Sequence, residues 1–219
     1  MAQYAVIGLG RFGATLAQQL VHLGHEVIGI DYERKVVEDL SALLSYAVVA
    51  DATDERALSE LNLERCDAVI VAIGENLLAS LLCVVHLKTL DVREVWAKAT
   101  HRAHHLILSR LGVNRIVHPE EDIGARTAQA LCYPMFREYM PLGSNQYLVE
   151  VPITEHLAGR RLGDWLTGLT HPVQALLVKR RDTLLSAPAE DFHVELGDTV
   201  ILAGDRQGLT QLAPLLGKR

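Results

Sequence analysis

The sequence is poor in cysteine, and its thiols follow no metal-binding or disulfide pattern. The 219 residues include three cysteines, Cys66, Cys83 and Cys132, which are widely spaced and form no CxxC pair. A disulfide framework needs a set of paired cysteines, and a thiolate zinc site needs closely spaced ones. The sequence therefore excludes both and fits a protein that works in a reducing cytosol.

The sequence also lacks an excess of positive charge. The formal net charge is −6, and no run rich in lysine or arginine occurs anywhere along the chain. A protein that binds a nucleic-acid phosphate backbone needs a basic face. Nucleic acid is therefore excluded as a partner.

No apolar run in the sequence is long enough to cross a bilayer. The longest, Leu77–Leu87, contains Ser80 and His86, and it has about half of the ~20 residues that a membrane-spanning helix needs. The chain passes directly from Met1 into an apolar strand at Tyr4, without the charged and hydrophobic segments of a secretory signal. We therefore expect a cytoplasmic protein that reaches the membrane only through a partner.

Apolar residues, by contrast, are plentiful. They make up 49% of the chain, whereas charged residues make up 22%. This composition is enough for a large core and for apolar surface that other subunits cover. We therefore expect an oligomer.

The first part of the chain alternates short β-rich runs with amphipathic helical runs. Strands joined by helical crossovers form a parallel sheet that helices cover on both faces. The predicted fold class is α/β, with a Rossmann-like doubly wound parallel sheet in a domain of residues 1–119. The predicted strands are Tyr4–Ile7, Val27–Ile30, Ala47–Ala50, Ala68–Ile73, Val95–Ala97 and Arg115–Val117.

Residues 120–145 are predicted to form a crossover helix and a linker. Apolar positions recur at helical spacing from Glu120 to about Tyr139, with a possible kink at Pro134, and Pro141–Asn145 has a linker composition. Residues 146–219 then form a smaller α+β domain. Its predicted elements are strand Tyr147–Ile153, a short helix Gly163–Leu166, a hairpin across Arg181-Asp182, strand Asp198–Ala203 and a closing helix to Leu216.

The segment Gly8–Gly13 matches the pattern GxGxxG directly after the first strand, where it opens a helix. In a nucleotide-binding βαβ unit, Gly8 permits the tight turn, Gly10 lets the backbone approach a phosphate, and Gly13 lets the helix pack on the strand. Asp31, at the end of the second strand, is placed to accept ribose hydroxyls. The alternative is a glycine turn needed only for packing, with Asp31 as a strand-end cap.

Three more features follow the same logic. Arg11 adds a permanent positive charge beside the phosphate loop, which favours ATP or ADP over NAD, although a surface arginine is the alternative. Asp51-Ala52-Thr53 and Gly74-Glu75-Asn76 follow the third and fourth strands, at the sheet edge where nucleotide sites form. Taken singly, each of these two segments is as consistent with a helix cap.

The sequence offers no catalytic set for a dehydrogenase. Such an enzyme needs an acid or base that faces the nicotinamide, whereas His156, His171 and His193 are isolated in the sequence. The cluster His101, His104 and His105 lacks a cysteine or carboxylate that would complete a zinc site, so we interpret it as an interface or a solvated helix face.

Taken together, the motifs resemble the regulator of potassium conductance family, specifically the single-repeat cytosolic subunits of Ktr- and Trk-type potassium transporters. The resemblance spans the chain. The matching segments of the first domain are Ala5–Gly13, Val69–Gly74, Val95–Ala99 and Ile116–Gly124. Those of the second domain are Gly159–Leu162 and Leu196–Gly204.

The resemblance implies a gating-ring subunit that is not an enzyme. Dimers that pair through the crossover helix would close into an octameric ring beneath a membrane-embedded potassium-translocating subunit, on the inner face of the membrane. The implied ligand is ATP or ADP, with NAD or NADH possible. Its implied contacts are Gly8, Gly10, Arg11, Phe12, Gly13, Asp31, Asp51, Ala52, Thr53, Ala72, Ile73, Gly74 and Lys98.

The resemblance further implies a cation, Mg²⁺, Ca²⁺ or Na⁺, at Glu120 in the dimer interface, and cyclic di-AMP as a possible ligand of the second domain. The alternative role of Glu120 is to stabilise the dipole of the helix that it begins. Two alternative functions also stay open at this point. One is an NAD-dependent oxidoreductase, and the other is a nucleotide sensor for a different membrane channel or transporter.

Overall fold

The structure is a computed structural model that describes residues 1–217 and contains two compact units, Met1–Asp122 and a second unit that begins at Ile123. The strands of the first unit are β1 (Gln3–Ile7), β2 (Glu26–Asp31), β3 (Tyr46–Val49), β4 (Ala68–Val71), β5 (Val95–Lys98) and β6 (Arg115–Val117). Its helices are α1 (Arg11–His22), α2 (Arg34–Leu40), α3 (Glu55–Ser59), α4 (Leu77–Thr89) and α5 (Arg102–Arg110).

The six strands form one parallel sheet in the order β3-β2-β1-β4-β5-β6. The order reverses between β1 and β4, because the chain first builds outward from β1 and then returns to its other side. All four residues of β4 are buried, as the unbroken apolar run predicted for a central strand. The predicted Rossmann-like parallel sheet is confirmed.

Two apolar cores cover the faces of this sheet. Along β1, Ala5 and Ile7 pack into one core together with side chains of α3, α4 and α5, while Val6 packs into the other with side chains of α1 and α2. Alternate residues of a strand point to opposite faces, so one strand supplies both cores. Full burial of an aliphatic side chain contributes about 1.5–3 kcal/mol.

The predicted helix of residues 120–139 is too long. Helix α6 spans Pro119–Cys132, and the chain then turns at Pro134 and Met135. Pro134 has no N–H to donate to a carbonyl in the preceding turn, and it disfavours helical geometry at Tyr133. The helix therefore ends before the proline instead of kinking there.

The predicted linker of residues 141–145 is also wrong. Strand β7 (Tyr139–Gly143) pairs antiparallel with β8 (Gln146–Pro152), and Ser144 and Asn145 form the turn with φ values of 49° and 62°. A two-residue hairpin turn needs positive φ at both positions, and asparagine tolerates it well. A hairpin therefore occupies the segment that composition alone suggested was a linker.

The second unit is a five-stranded antiparallel sheet in the order β10-β9-β11-β8-β7. Its remaining elements are α7 (Gly163–Leu166), β9 (Val173–Arg180), β10 (Thr183–Ser186), β11 (Thr199–Asp205) and α8 (Arg206–Leu216). Trp165, Leu202 and Leu209 are among its most buried side chains. The predicted small α+β domain is confirmed, including its hairpin and closing helix.

Across residues 1–217, no helix combines the length and the apolar character needed to cross a bilayer.

Gly13 and Gly10 are a matched pair for testing the glycine loop. A Cβ at Gly13 would overlap the carbonyl oxygen of Gly8, whereas a Cβ at Gly10 meets no atom within 4 Å. We expect Gly13→Ala to lower the free energy of unfolding by about 3 kcal/mol and Gly10→Ala to lower it by less than about 1 kcal/mol. Urea titrations of the two variants measure the difference; equal losses would contradict this packing.

Candidate nucleotide site at the carboxyl edge of the parallel sheet

The turn after β1 brings the glycine loop against the end of β4. Gly8 has a φ of 93°, and its N–H donates to the carbonyl of Ile30 at 2.8 Å. A Cβ there would lie 3.1 Å from the backbone nitrogen of Ile73 and 3.1 Å from the carbonyl carbon of Ala72. Both the left-handed conformation and the close approach therefore require glycine.

The start of α1 is open. Gly10 is its N-cap residue, it is exposed, and no side chain caps the helix. The first N–H groups of a helix lack intrahelical partners and carry partial positive charge, which makes an open helix start suitable for a phosphate. The space over Gly10 is empty and could hold a phosphate group, and any larger side chain at this position would begin to fill it.

Asp31, the last residue of β2, is held beside this loop by hydrogen bonds. Its Oδ2 accepts the Leu9 N–H at 2.7 Å, and its Oδ1 accepts the Glu33 N–H at 2.9 Å. Each carboxylate oxygen has a further lone pair. The carboxylate therefore combines a role in holding the loop with the capacity to accept hydroxyl groups of a ligand.

In the segment Asp51-Ala52-Thr53 after β3, the polar side chains hydrogen-bond within the segment itself. Asp51 Oδ1 accepts hydrogen bonds from both the backbone N–H and the hydroxyl of Thr53, at 2.9 and 2.7 Å. These bonds, the backbone one first, lower the pKa of Asp51. Ala52 is buried in the core. Of these three residues, Asp51 and Thr53 present polar side chains at the surface, and Asp51 supplies the negative charge.

Lys98 and Glu120 form an ion pair that the sequence did not predict as a pair. The Lys98 Nζ donates to Glu120 Oε1 at 2.6 Å, and the Lys98 side chain is 12% exposed. A Cβ at Gly74 would lie 3.2 Å from the same Nζ, and the centre of the Phe12 ring lies 5.9 Å from it. The lysine, Gly74 and the start of α1 are thus neighbours.

Glu120 is held as a carboxylate. Its hydrogen bond to Lys98 lowers its pKa, and the charges of Lys98 and Arg11 lower it further. Within residues 1–217, no cluster of three histidine, cysteine or acidic side chains has the arrangement of a metal site. In a single chain, therefore, the partner of Glu120 is an ammonium group.

The histidines at the start of α5 differ in burial, because His101 is exposed, His105 is half-buried and His104 is internal. His104 is fully buried, and its Nε2 has no hydrogen-bond partner within the described chain. His105 Nδ1 lies 2.9 Å from Nε2 of His118, so one ring donates to the other. The prediction of a solvated helix face is therefore wrong for His104, because that side of α5 packs on the sheet.

The second unit contains a histidine–aspartate pair that the sequence analysis missed. His171 Nδ1 lies 2.9 Å from Asp205 Oδ2, while Asp205 Oδ1 accepts the Gly208 N–H and caps α8. His156 is also paired, with the Thr154 hydroxyl and the Leu216 carbonyl, each at 2.8 Å. His171 and His156 are therefore not isolated, because the fold joins residues that lie 34 and 60 positions from their partners.

A cavity of about 490 Å³ lies in the second unit. Apolar residues supply most of its wall, and Thr154, Glu155 and His156 supply its polar side chains. Among the described residues that line it, none is a lysine or an arginine. A phosphodiester would therefore find few positive partners there.

The fold and the open helix start define a class of protein, a Rossmann-like nucleotide-binding domain followed by a small α+β domain. Comparison with known proteins gives the family. Residues 4–119 match the TrkA-N domain, and the chain belongs to this family, the regulator of potassium conductance type that its motifs resemble.

Relatives match along almost the whole chain. It is 33% identical to Ktr system potassium uptake protein A of Bacillus subtilis over 94% of this chain and 93% of that protein. It is 34% identical to Ktr system potassium uptake protein A of Vibrio alginolyticus over 94% of each. The match therefore includes the second domain as well as the first.

Solved structures share the fold at lower identity. The GsuK RCK domain has a TM-score of 0.64 at 18% identity, over 99% of this chain and 48% of that one. The TrkA-N domain of inner membrane protein ybaL from Escherichia coli has a TM-score of 0.53 at 22% identity, over 60% of this chain and 97% of that one. This chain thus spans about half the length of the GsuK RCK chain.

His104 gives the first unit a specific sensitivity to acid. Burial lowers its pKa below the ordinary 6.5, and positive charge on His101 and His118 would lower it further. As the pH falls through 6.5, the unfolded chain therefore binds a proton that the folded chain refuses, and stability drops by at most about 1.4 kcal/mol per pH unit.

We expect the loss of stability between pH 7 and pH 5 to be smaller in His104→Asn than in the wild type, since asparagine cannot take up that proton. Unfolding titrations at several pH values measure it. Exposed His22 provides the control His22→Asn. An unchanged pH slope in His104→Asn would contradict the assignment.

Proposed function

We propose that this chain is the nucleotide-binding regulatory subunit of a membrane-embedded potassium uptake system. The observation that carries the nucleotide site is the open, uncapped start of α1 at Gly10, beside the Asp31 carboxylate. The potassium system comes from the relatives, which are Ktr system potassium uptake proteins matched over nearly their full length.

The preferred ligand is ATP or ADP. The phosphates would lie at the start of α1, and Asp31 would accept the ribose hydroxyls. Lys98 and Arg11 both carry positive charge near Glu120, which suits a phosphate chain longer than that of NAD. NAD or NADH is the second candidate, because the structure of the GsuK channel bound to NAD shares this fold at 17% identity and a TM-score of 0.64.

Regulation rather than catalysis is the proposed role. The His171–Asp205 pair has the residue types of a catalytic dyad, yet Asp205 also caps α8 and so has a structural task. The relatives are uptake proteins, not oxidoreductases. The nucleotide would therefore act as a signal that changes the conformation of the subunit.

The proposed assembly is a closed ring of eight subunits built from dimers that pair through α6, located on the inner face of the membrane against the potassium-translocating subunit. Helix α6 has no buried residue within the single chain, and Ile123 and Leu131 are 60% and 78% exposed. Helices of globular proteins owe most of their stability to packing of an apolar face. A second copy of α6 would supply that packing.

Two ligands remain predictions. A Mg²⁺, Ca²⁺ or Na⁺ ion at Glu120 would need ligands from a second subunit or from phosphate, because the carboxylate of one chain binds Lys98. Cyclic di-AMP in the second domain would need positively charged side chains near its phosphates. The described residues that line the 490 Å³ cavity include no lysine or arginine, so these side chains would have to come from elsewhere. Titration of the purified protein with each ligand tests both.

Asp31 provides the test of the nucleotide site. We expect Asp31→Ala to weaken ATP and ADP binding about tenfold to a hundredfold, because hydrogen bonds to a charged acceptor contribute about 1.5–3 kcal/mol. Calorimetric titration with ATP, ADP, NAD and 2′-deoxy-ATP measures it. The wild type should prefer ATP to 2′-deoxy-ATP, and the variant should not distinguish them.

The 2′-deoxy ligand separates a lost contact from a damaged loop. Asp31→Ala also removes the bonds to the Leu9 and Glu33 N–H groups, and loosening of the loop would weaken both ligands equally. A folded variant that still prefers ATP to 2′-deoxy-ATP would remove Asp31 from the site. Absence of ATP, ADP and NAD binding in the wild type would refute the proposed function.

Arg11 should distinguish ATP from ADP. Its guanidinium offers paired donors to an additional phosphate, whereas the ribose and adenine contacts are common to both ligands. We expect Arg11→Ala to weaken ATP binding more than ADP binding, and to reduce the difference between the two nucleotides in potassium uptake by cells that produce the complete system.

Arg65 supplies the control for this experiment. It is an exposed arginine that lies shortly before β4, at the opposite edge of the sheet from the glycine loop. Arg65→Ala removes the same charge and should leave both affinities unchanged. Equal weakening of ATP and ADP in Arg11→Ala would show that Arg11 does not discriminate between them.

A further inference from the structure

The Lys98–Glu120 pair lies between the candidate nucleotide site and the first turn of α6. Lys98 ends β5, and Glu120 is the second residue of α6. Both belong to the first compact unit. The pair therefore ties the sheet edge where a ligand would bind to the start of the helix that has no buried residue of its own.

The lysine is confined, whereas the glutamate is free to leave. The Lys98 side chain is 12% exposed, and the Glu120 side chain is 68% exposed. The Lys98 Nζ adjoins Gly74, where an added Cβ would lie 3.2 Å from it, and the Phe12 ring, whose centre is 5.9 Å away. Rupture of the pair would therefore move Glu120 into solvent and leave the ammonium group in place.

A nucleotide phosphate would compete with Glu120 for this ammonium group. Both are anions that need oxygen–nitrogen contacts of about 2.7–2.9 Å. If both bound one Nζ at once, their oxygens would lie within a few ångströms of each other and repel. The more highly charged phosphate group would take the lysine, and the exposed carboxylate would withdraw.

We propose that the Lys98–Glu120 ion pair is a latch that the phosphate chain of the bound nucleotide opens. The inference rests on the proposed function, because it assumes a nucleotide at the glycine loop. In the free protein Lys98 holds Glu120 and with it the first turn of α6. In the nucleotide-bound protein Lys98 holds phosphate, and Glu120 no longer restrains that turn.

The latch makes a prediction opposite in sign to that of a simple ligand role for Glu120. Glu120→Gln keeps the size of the side chain and removes the charge that competes for Lys98. We expect ATP to bind about threefold to fivefold more tightly to this variant than to the wild type, as expected for loss of a partly exposed ion pair. Calorimetry on the full-length protein, without added divalent cation, measures it.

Glu121→Gln is the matched control. Glu121 is the next residue of the same helical turn, and its carboxylate lies 3.9 Å from His118 Nδ1 instead of beside Lys98. The control changes the net charge equally and should alter ATP affinity less than about 1.5-fold at physiological salt, where exposed charges are screened. Equal effects of the two substitutions, or weaker ATP binding in Glu120→Gln, would overturn the latch.

A Lys98→Ala background gives a second test that does not depend on absolute affinity. Without the ammonium group there is nothing to compete for, so Glu120→Gln and Glu121→Gln should have the same effect on ATP affinity in that background. If Glu120→Gln still increased ATP affinity more than Glu121→Gln in that background, the increase would come from loss of general charge repulsion. That result would overturn the latch. If wild-type protein bound no nucleotide, the proposed function itself would fail.

Hydrogen exchange measures how firmly the latch holds the first turn of α6. The Asp122 N–H donates to the His118 carbonyl at 3.0 Å and closes the first turn of α6. We expect ATP to accelerate exchange of the amides of residues 120–123 in the wild type, above all that of Asp122, and we expect Glu120→Gln to show the faster exchange already without ATP. Slower exchange of this turn in wild-type protein on ATP binding would overturn the proposal.

Discussion

The close approach of the glycine loop to the end of β4 is the constraint on which the first domain depends. Gly8 turns with positive φ against Ala72 and Ile73, and Gly13 lets α1 pack directly on Gly8. These contacts aim the start of α1 at the point where the strand order reverses. The packing thus leaves open a helix start whose free N–H groups can meet a phosphate.

The parts of the fold that follow local pattern could be predicted from sequence. The six parallel strands and the glycine loop were identified because unbroken apolar runs and GxGxxG depend on neighbouring residues. The end of α6 was misplaced because the apolar spacing continues past Pro134, whereas the missing proline N–H ends the helix. The composition of residues 141–145 suits both a linker and a hairpin, so it does not predict the turn at Ser144-Asn145.

Partnerships between distant residues could not be predicted in this way. Lys98 and Glu120 were each identified, but with separate roles, and their 2.6 Å contact depends on how β5 and α6 meet at the sheet edge. The same limit applies to His171 and Asp205, which lie on separate segments of the second domain. A useful signal was available for the first pair, since Lys98 ends β5 and Glu120 follows the end of β6, the adjacent parallel strand.

The charges at the sheet edge explain how one site can both bind an anion and report it. Before a phosphate arrives, a mostly enclosed ammonium group is costly unless it is paired, and Glu120 supplies the pairing from an exposed position. The same exposure makes the carboxylate easy to displace, because water can solvate it once it leaves. Glu120 thus pairs with Lys98 strongly enough to neutralise it, but weakly enough to be displaced by a phosphate chain. Occupancy of the site is in this way linked to the first turn of α6. If both members of the pair were buried, the start of α6 would stay fixed with or without nucleotide. If Lys98 had no partner, nucleotide binding would not change the start of α6.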